Sequence, residues 1–122
     1  MLNKSKNLKI SIHIPLYVDP KKKQQLKNFR KACKSFLTLS NRARIFVHSN
    51  KKFKGNKKIK YFYYDFNKIK EHPYKLTWFC RKIMENQKNK FDVFIYSEDK
   101  ILFTKKNFRY WLDHKDLCIK ND

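Results

Sequence analysis

A three-layer α/β fold, with a mostly parallel sheet of about four strands and helices on both faces, is predicted by three observations. Leu8, Ile10, Ile12 and Ile14 alternate with Lys9, Ser11 and His13, the period of a half-buried strand. Two amphipathic helical segments follow strands, the order that builds parallel sheets. The apolar run Phe91–Tyr96 then reads as a strand covered on both faces.

Taken in order, the first strand ends at Pro15. Asp19 and Pro20 supply an N-cap and a proline at the first helical position, opening a helix near 20–38. Leu26, Phe29, Cys33, Phe36 and Leu37 fall on its apolar face. Arg44–His48 is a second strand closed by Ser49 and Asn50, and residues 51–58 form an exposed basic loop holding the single glycine. Ile59–Phe66 is β-prone and aromatic, a third strand. In its run Tyr61–Tyr64, alternation buries half the rings as core rather than leaving them to stack on bases. His72 and Pro73 open a second helix with Leu76, Phe79, Cys80, Ile83 and Met84 inward. After the fourth strand, Thr104 caps a third helix at about 105–115 carrying Phe108, Trp111 and Leu112. Trp78 and Trp111 read as core anchors on these helices. No repeat or linker divides the chain, so residues 1–122 are one domain.

The composition excludes several classes. Aromatics at 16% and hydrophobics at 41% are too abundant for a disordered basic tail. One glycine and three prolines exclude collagen-like and low-complexity designs. No stretch approaches the length of a membrane span, and the first residues lack the apolar core of a signal peptide. Cys33, Cys80 and Cys118 are odd in number and form no CxxC pair, which fits free thiols in the cytoplasm.

The net charge of +21 is uneven. Residues 1–60 carry 18 Lys and Arg against Asp19 alone, and residues 61–122 carry 13 against nine acids. Such a field attracts nucleic acid, an anionic membrane surface or a phosphorylated small molecule. With 26 Lys and only five Arg, the chain lacks the bidentate readers of base edges, which makes nucleic acid the weaker choice.

In parallel sheets ligands bind beyond the carboxyl ends of the strands, where the strand order reverses. The residues there are Pro15 and Tyr17, Ser49 and Asn50, and Glu98, Asp99 and Lys100. Paired carboxylates beyond an apolar strand suit a hard divalent cation such as Mg²⁺ or Mn²⁺. His13, His48, His72 and His114 lie at no metal-ligand spacing, and none is expected to bind an ion. There is no Ser-His-Asp or Cys-His arrangement, and no glycine-rich phosphate loop.

The segments ISIHIPLY, HPYKLTWFCRKI and FDVFIYSEDK, the last followed by ILFTKKNFRYWL, resemble the amino-terminal, nucleotide-sugar-binding half of a GT-A-type glycosyltransferase. The match is best over residues 70–115. The resemblance implies a Rossmann-like half domain that transfers a sugar from a nucleotide-sugar donor. It places Pro15 and Tyr17 by the base and ribose, and Ser49 or Asn50 where the family contacts the base. It makes Glu98 and Asp99 the start of a DxD-like motif for Mn²⁺ or Mg²⁺, with Arg81 adding positive charge near the diphosphate. Lys100 stands where the family has a further acid, and would itself face the diphosphate. Family members continue beyond this length, so the resemblance implies a truncated unit completed by a second chain or by self-association. The competing reading is a non-enzymatic basic module that binds nucleic acid or an anionic surface through residues 1–60.

Overall fold

A computed structural model describes the chain over residues 7–69 and 75–120. Its elements are β1 (Lys9–Leu16), α1 (Gln25–Leu37), β2 (Arg42–Ser49), β3 (Ile59–Tyr63), α2 (Phe66–Ile69), α3 (Lys75–Asn86), β4 (Val93–Tyr96) and α4 (Lys105–Lys120). The four strands form one sheet in the order β3-β2-β1-β4, and every pairing is parallel. Helices cover both faces, as the element order predicts. No helix among the described residues is long and apolar enough to cross a membrane.

Alternation assigns the two faces. Ile10, Ile12, Ile14 and Leu16 of β1, with Ala43, Ile45 and Val47 of β2, pack against Phe29, Ala32, Cys33 and Phe36 of α1 and Phe108 of α4. The opposite face carries Ser11 and His13 of β1 and Phe46 and His48 of β2, which lie under α3 and Gln87. One face is therefore aliphatic, and the other polar and aromatic.

Several boundaries differ from expectation, each for a local reason. Pro15 does not end β1 but lies within it, opposite His48. The carbonyl of His13 faces β4, where it accepts from the Ser97 N–H at 3.0 Å. Pro15, two residues on, turns its nitrogen to the same side, beyond the last β4 pairing at His13, where no ladder bond is required. The first helix starts at Gln25 because Asp19 caps a turn instead, its carboxylate accepting from the Lys21 N–H (3.0 Å) and its carbonyl from the Lys22 N–H (3.0 Å).

The third strand stops at Tyr63, since the Asp65 carboxylate accepts from the Asn67 N–H and starts the short helix α2. β4 is shorter than the run 91–96 and is an edge strand with half-exposed residues, so it is not covered on both faces. Trp78 and Trp111 are not core anchors: they are 59% and 44% exposed, and Trp78 lies under the Arg81 guanidinium. Thr104 caps α4 as expected, accepting from the Asn107 N–H while Asn107 Oδ1 accepts from the Thr104 N–H. The expected helix start at His72 and Pro73 lies outside the described residues.

Residues 51–58 are an ordered crossover between two parallel strands. Phe53 packs against the aliphatic core and leans on Tyr61, with ring centroids 5.2 Å apart. Asn56 accepts at Oδ1 from the Lys58 and Ile59 N–H groups, and its own N–H donates to the Ile59 carbonyl. The loop backbone passes so close to β3 that a Cβ on Gly55 would stand 2.5 Å from the Ile59 carbonyl oxygen. Gly55→Ala is expected to cost about 1–3 kcal/mol, since backbone must shift to admit it. A urea titration that places the variant's midpoint at the parent value removes this account of the crossover.

Candidate functional site

The strand order reverses between β1 and β4, and a cleft opens at their carboxyl ends. It is lined by Lys21, Lys22, Lys23, Gln24, Gln25 and Asn28 on one side and by Glu98, Asp99 and Lys100 on the other, with a volume of about 540 Å³. Gln25 ties the two sides together. Its amide Nε2 donates to Asp99 Oδ2 (3.0 Å) and to the Tyr17 carbonyl (2.8 Å), while its Oε1 accepts from the Asp19 N–H (3.0 Å). Gln25 also begins α1, which carries no side-chain N-cap and no acidic residue in its first turn. No acidic residue of its own first turn offsets the positive end of that helix dipole beside the cleft.

Four lysines and two carboxylates line this space, a surplus of positive charge. Glu98 is exposed and Asp99 is half-buried with one oxygen engaged by Gln25. Neither belongs to a group of three or more His, Cys, Asp or Glu side chains converging on one point among the described residues. Two carboxylates are few protein ligands for a Mg²⁺ or Mn²⁺ ion, which would take its remaining oxygens from water and a bound phosphate. The lining as a whole suits an anion, because ammonium groups outnumber carboxylates.

The remaining expected site residues are placed elsewhere. Asn50 clamps the ends of β1 and β2, accepting from the Val18 N–H (2.7 Å) and donating to the Val18 carbonyl (3.3 Å). Ser49 is fully buried and accepts from the Lys51 N–H. The Tyr17 ring meets Phe66 edge-on with centroids 5.6 Å apart, and Pro15 is half-buried in β1. Arg81 borders a separate groove with Met84, Glu85, Lys88 and Phe94. The structure brings Glu98, Asp99 and Lys100 together with lysines of the β1–α1 turn. It does not bring Pro15, Tyr17, Ser49, Asn50 or Arg81 to the lining of that cleft.

Sequence reasoning missed a buried polar row on the other face. His13 and His48 are both 0% exposed, and His13 Nδ1 lies 3.0 Å from His48 Nε2. Gln87 Oε1 accepts from the Ser11 hydroxyl (2.7 Å) and from His13 Nε2 (3.0 Å). A carbonyl oxygen only accepts, so His13 carries its proton on Nε2 and accepts at Nδ1 from His48 Nε2–H. The Tyr64 hydroxyl then donates to His48 Nδ1 at 3.0 Å. Every polar atom in the row is satisfied with both rings neutral.

Burial opposes charge throughout this region. It lowers the His13 pKa, against a smaller raising effect from Gln87, and lowers that of His48 to about 3, with His13 adding to the shift. Burial also pushes the Tyr64 hydroxyl and the Cys80 thiol up to about 12. Cys33, on the aliphatic face, is likewise raised to about 12. Both described cysteines are free, and neither has the electropositive, accessible setting of a reactive thiolate.

The parallel sheet and the cleft at its strand-order reversal define a Rossmann-like α/β module. No protein-family model, no curated protein and no solved structure matches the chain.

Proposed function

We propose that the cleft between the β1–α1 turn and the β4–α4 segment binds the diphosphate of a nucleotide-sugar, and that the chain is a glycosyltransferase-like donor-binding module. The observation that carries this reading is the position of a lysine-lined cleft at the one reversal of strand order. Lys21, Lys22, Lys23 and Lys100 supply the charge, and the start of α1 adds its dipole. In sugar transfer the diphosphate leaves with growing negative charge, and fixed ammonium groups oppose that charge without a metal ion. Lys100, in this reading, does at the diphosphate what a divalent cation does elsewhere. Gln25 engages one oxygen of Asp99 and ties the two walls of the cleft together.

A thermal-shift measurement with nucleoside diphosphates, each with and without Mn²⁺, tests the reading. A nucleoside diphosphate is expected to raise Tm where the bare nucleoside does not. Lys100→Asp is expected to weaken the diphosphate about tenfold or more without metal, the scale of one charge-assisted contact, and to make binding depend on Mn²⁺. No shift from any nucleoside diphosphate, beside a steeply salt-dependent affinity for DNA or RNA, would replace this reading with that of a basic nucleic-acid module.

A further inference from the structure

Two imidazoles and a thiol converge beneath α3 from three separate elements. His13 comes from β1, His48 from β2 and Cys80 from α3, and all three are 0% exposed. One ring nitrogen of each histidine and Cys80 Sγ lie within 4.8 Å of one another. The outer nitrogen of each ring is already held, His13 Nε2 by Gln87 Oε1 and His48 Nδ1 by the Tyr64 hydroxyl. The two inner nitrogens face each other at 3.0 Å.

We propose that His13 Nδ1, His48 Nε2 and Cys80 Sγ form a site for a transition-metal ion of the Zn²⁺ class that locks the two central strands to α3. The donor set decides the class of ion: imidazole and thiolate select Zn²⁺ or Co²⁺ over Mg²⁺, Mn²⁺ or Ca²⁺. The outer contact of His13 matches what a metal-bound imidazole requires, an acceptor that fixes the ring, and the Tyr64 oxygen serves His48 in the same way once its hydroxyl turns. Stacking fixes the rings further, His48 on Phe62 (centroids 4.9 Å, 8° between planes) and His13 on Phe46 (5.0 Å, 18°).

Zn–N bonds of about 2.0–2.1 Å at a tetrahedral angle set the two nitrogens about 3.3 Å apart. The rings need to part by only a few tenths of an ångström from their 3.0 Å separation. As the ion enters, Cys80 gives up its thiol proton to solvent. The His48 proton moves from Nε2 to Nδ1, where the Tyr64 oxygen accepts it as its hydroxyl turns away. Three protein donors are one short of a closed tetrahedral set, so the fourth position falls to a water or another small ligand admitted with the ion.

The test uses the full chain, stripped with a chelator and titrated with Co²⁺ and, in competition with a chromophoric chelator, with Zn²⁺. One equivalent of Co²⁺ is expected to produce a thiolate-to-cobalt charge-transfer band with strong tetrahedral visible bands. Cys80→Ser is expected to abolish the charge-transfer band, while Cys33→Ser and Cys118→Ser retain it. Glu98→Gln with Asp99→Asn is expected to leave Zn²⁺ affinity unchanged, which separates this site from the cleft. Tyr64→Phe, which keeps the ring but not the oxygen, is expected to weaken Zn²⁺ about tenfold to a hundredfold. A charge-transfer band that survives Cys80→Ser, a spectrum of octahedral cobalt alone, or the absence of any saturable Zn²⁺ binding overturns the proposal. Should Cys80→Ser fail to fold, an unchanged Zn²⁺ affinity in Tyr64→Phe overturns it equally.

Discussion

Acidification from pH 7 to pH 4 is expected to remove a large part of the folding free energy of the metal-free protein, through His13 and His48. In the unfolded chain both rings titrate near 6.5. In the folded chain burial lowers both, His48 to about 3. Below pH 6.5 the unfolded state binds protons that the native state refuses, so stability falls as pH falls. The contribution is fully present above the unfolded value and is lost progressively from about pH 6.5 toward pH 3.

Each refused proton costs about 1.4 kcal/mol per pH unit, so His48 alone accounts for about 3 kcal/mol by pH 4. Among the described residues no carboxylate joins the row; the polar groups facing the two rings are Gln87, Tyr64 and each other, with the Cys80 thiol nearby. Nothing there favours a charged imidazole. Urea titrations in a metal chelator at pH 7.5, 6, 5 and 4 measure the slope. A His48→Leu variant is expected to lose the part of the slope that His48 contributes. A stability that stays level from pH 6.5 to 4.5 refutes a neutral buried pair.

Phe36→Ala is expected to destabilise the protein by about 3–5 kcal/mol, the range for truncating a fully buried aromatic side chain. Phe36 is 0% exposed and stands where α1, β1 and the approach to α4 meet. Its ring stacks on Phe103 at 6.1 Å, and the adjacent Ser35 hydroxyl donates to the Phe103 carbonyl at 2.7 Å. The cavity cannot collapse without moving the helix or the segment that leads from the cleft to α4. Against a total stability of about 5–15 kcal/mol, the loss leaves little margin. The urea midpoint should drop sharply, whereas Leu102→Ala, 58% exposed, should stay within about 0.5 kcal/mol of the parent. Equal effects from the two substitutions would mean that Phe36 is not the centre of the core.

The element order was legible because its signals are local. Alternation at Leu8–Ile14 shows the first strand, and spacing at Leu26–Leu37 shows the helix after it. Thr104 announces the cap of α4. Boundaries were less legible where two local signals compete. Asp19 and Pro20 have the chemistry of a helix start, yet Asp19 spends its carboxylate and carbonyl on a turn, and α1 begins at Gln25. Phe91–Tyr96 reads as doubly covered because hydrophobicity does not distinguish an edge strand beside exposed aromatics from a central one. The exposed Trp78 and Trp111 carry the same lesson, since helical spacing shows a face but not what lies against it.

The candidate cleft was half legible. Glu98, Asp99 and Lys100 follow a strand and were found from that position. Lys21, Lys22 and Lys23 were indistinguishable from the other lysines until the turn after β1 set them across from the β4 end. Gln25, which joins the walls, gives no sequence signal because its partners are distant in the chain.

By itself, then, the sequence determined an α/β fold with alternating strands and helices and a strong positive field. Periodicity and charge are properties of neighbouring residues, so they are written in the chain. Only the tertiary structure decided which polar groups meet. His13 pairs across the ladder with Phe46, and His48 lies two residues further along the same face of β2. That diagonal depends on a parallel register between strands 35 residues apart, and a slip of one residue would turn every such side chain to the other face. The same register withdraws Ser49 into the protein and engages Asn50 with Val18. It leaves the lysines and acids at the β1 and β4 ends to form the cleft.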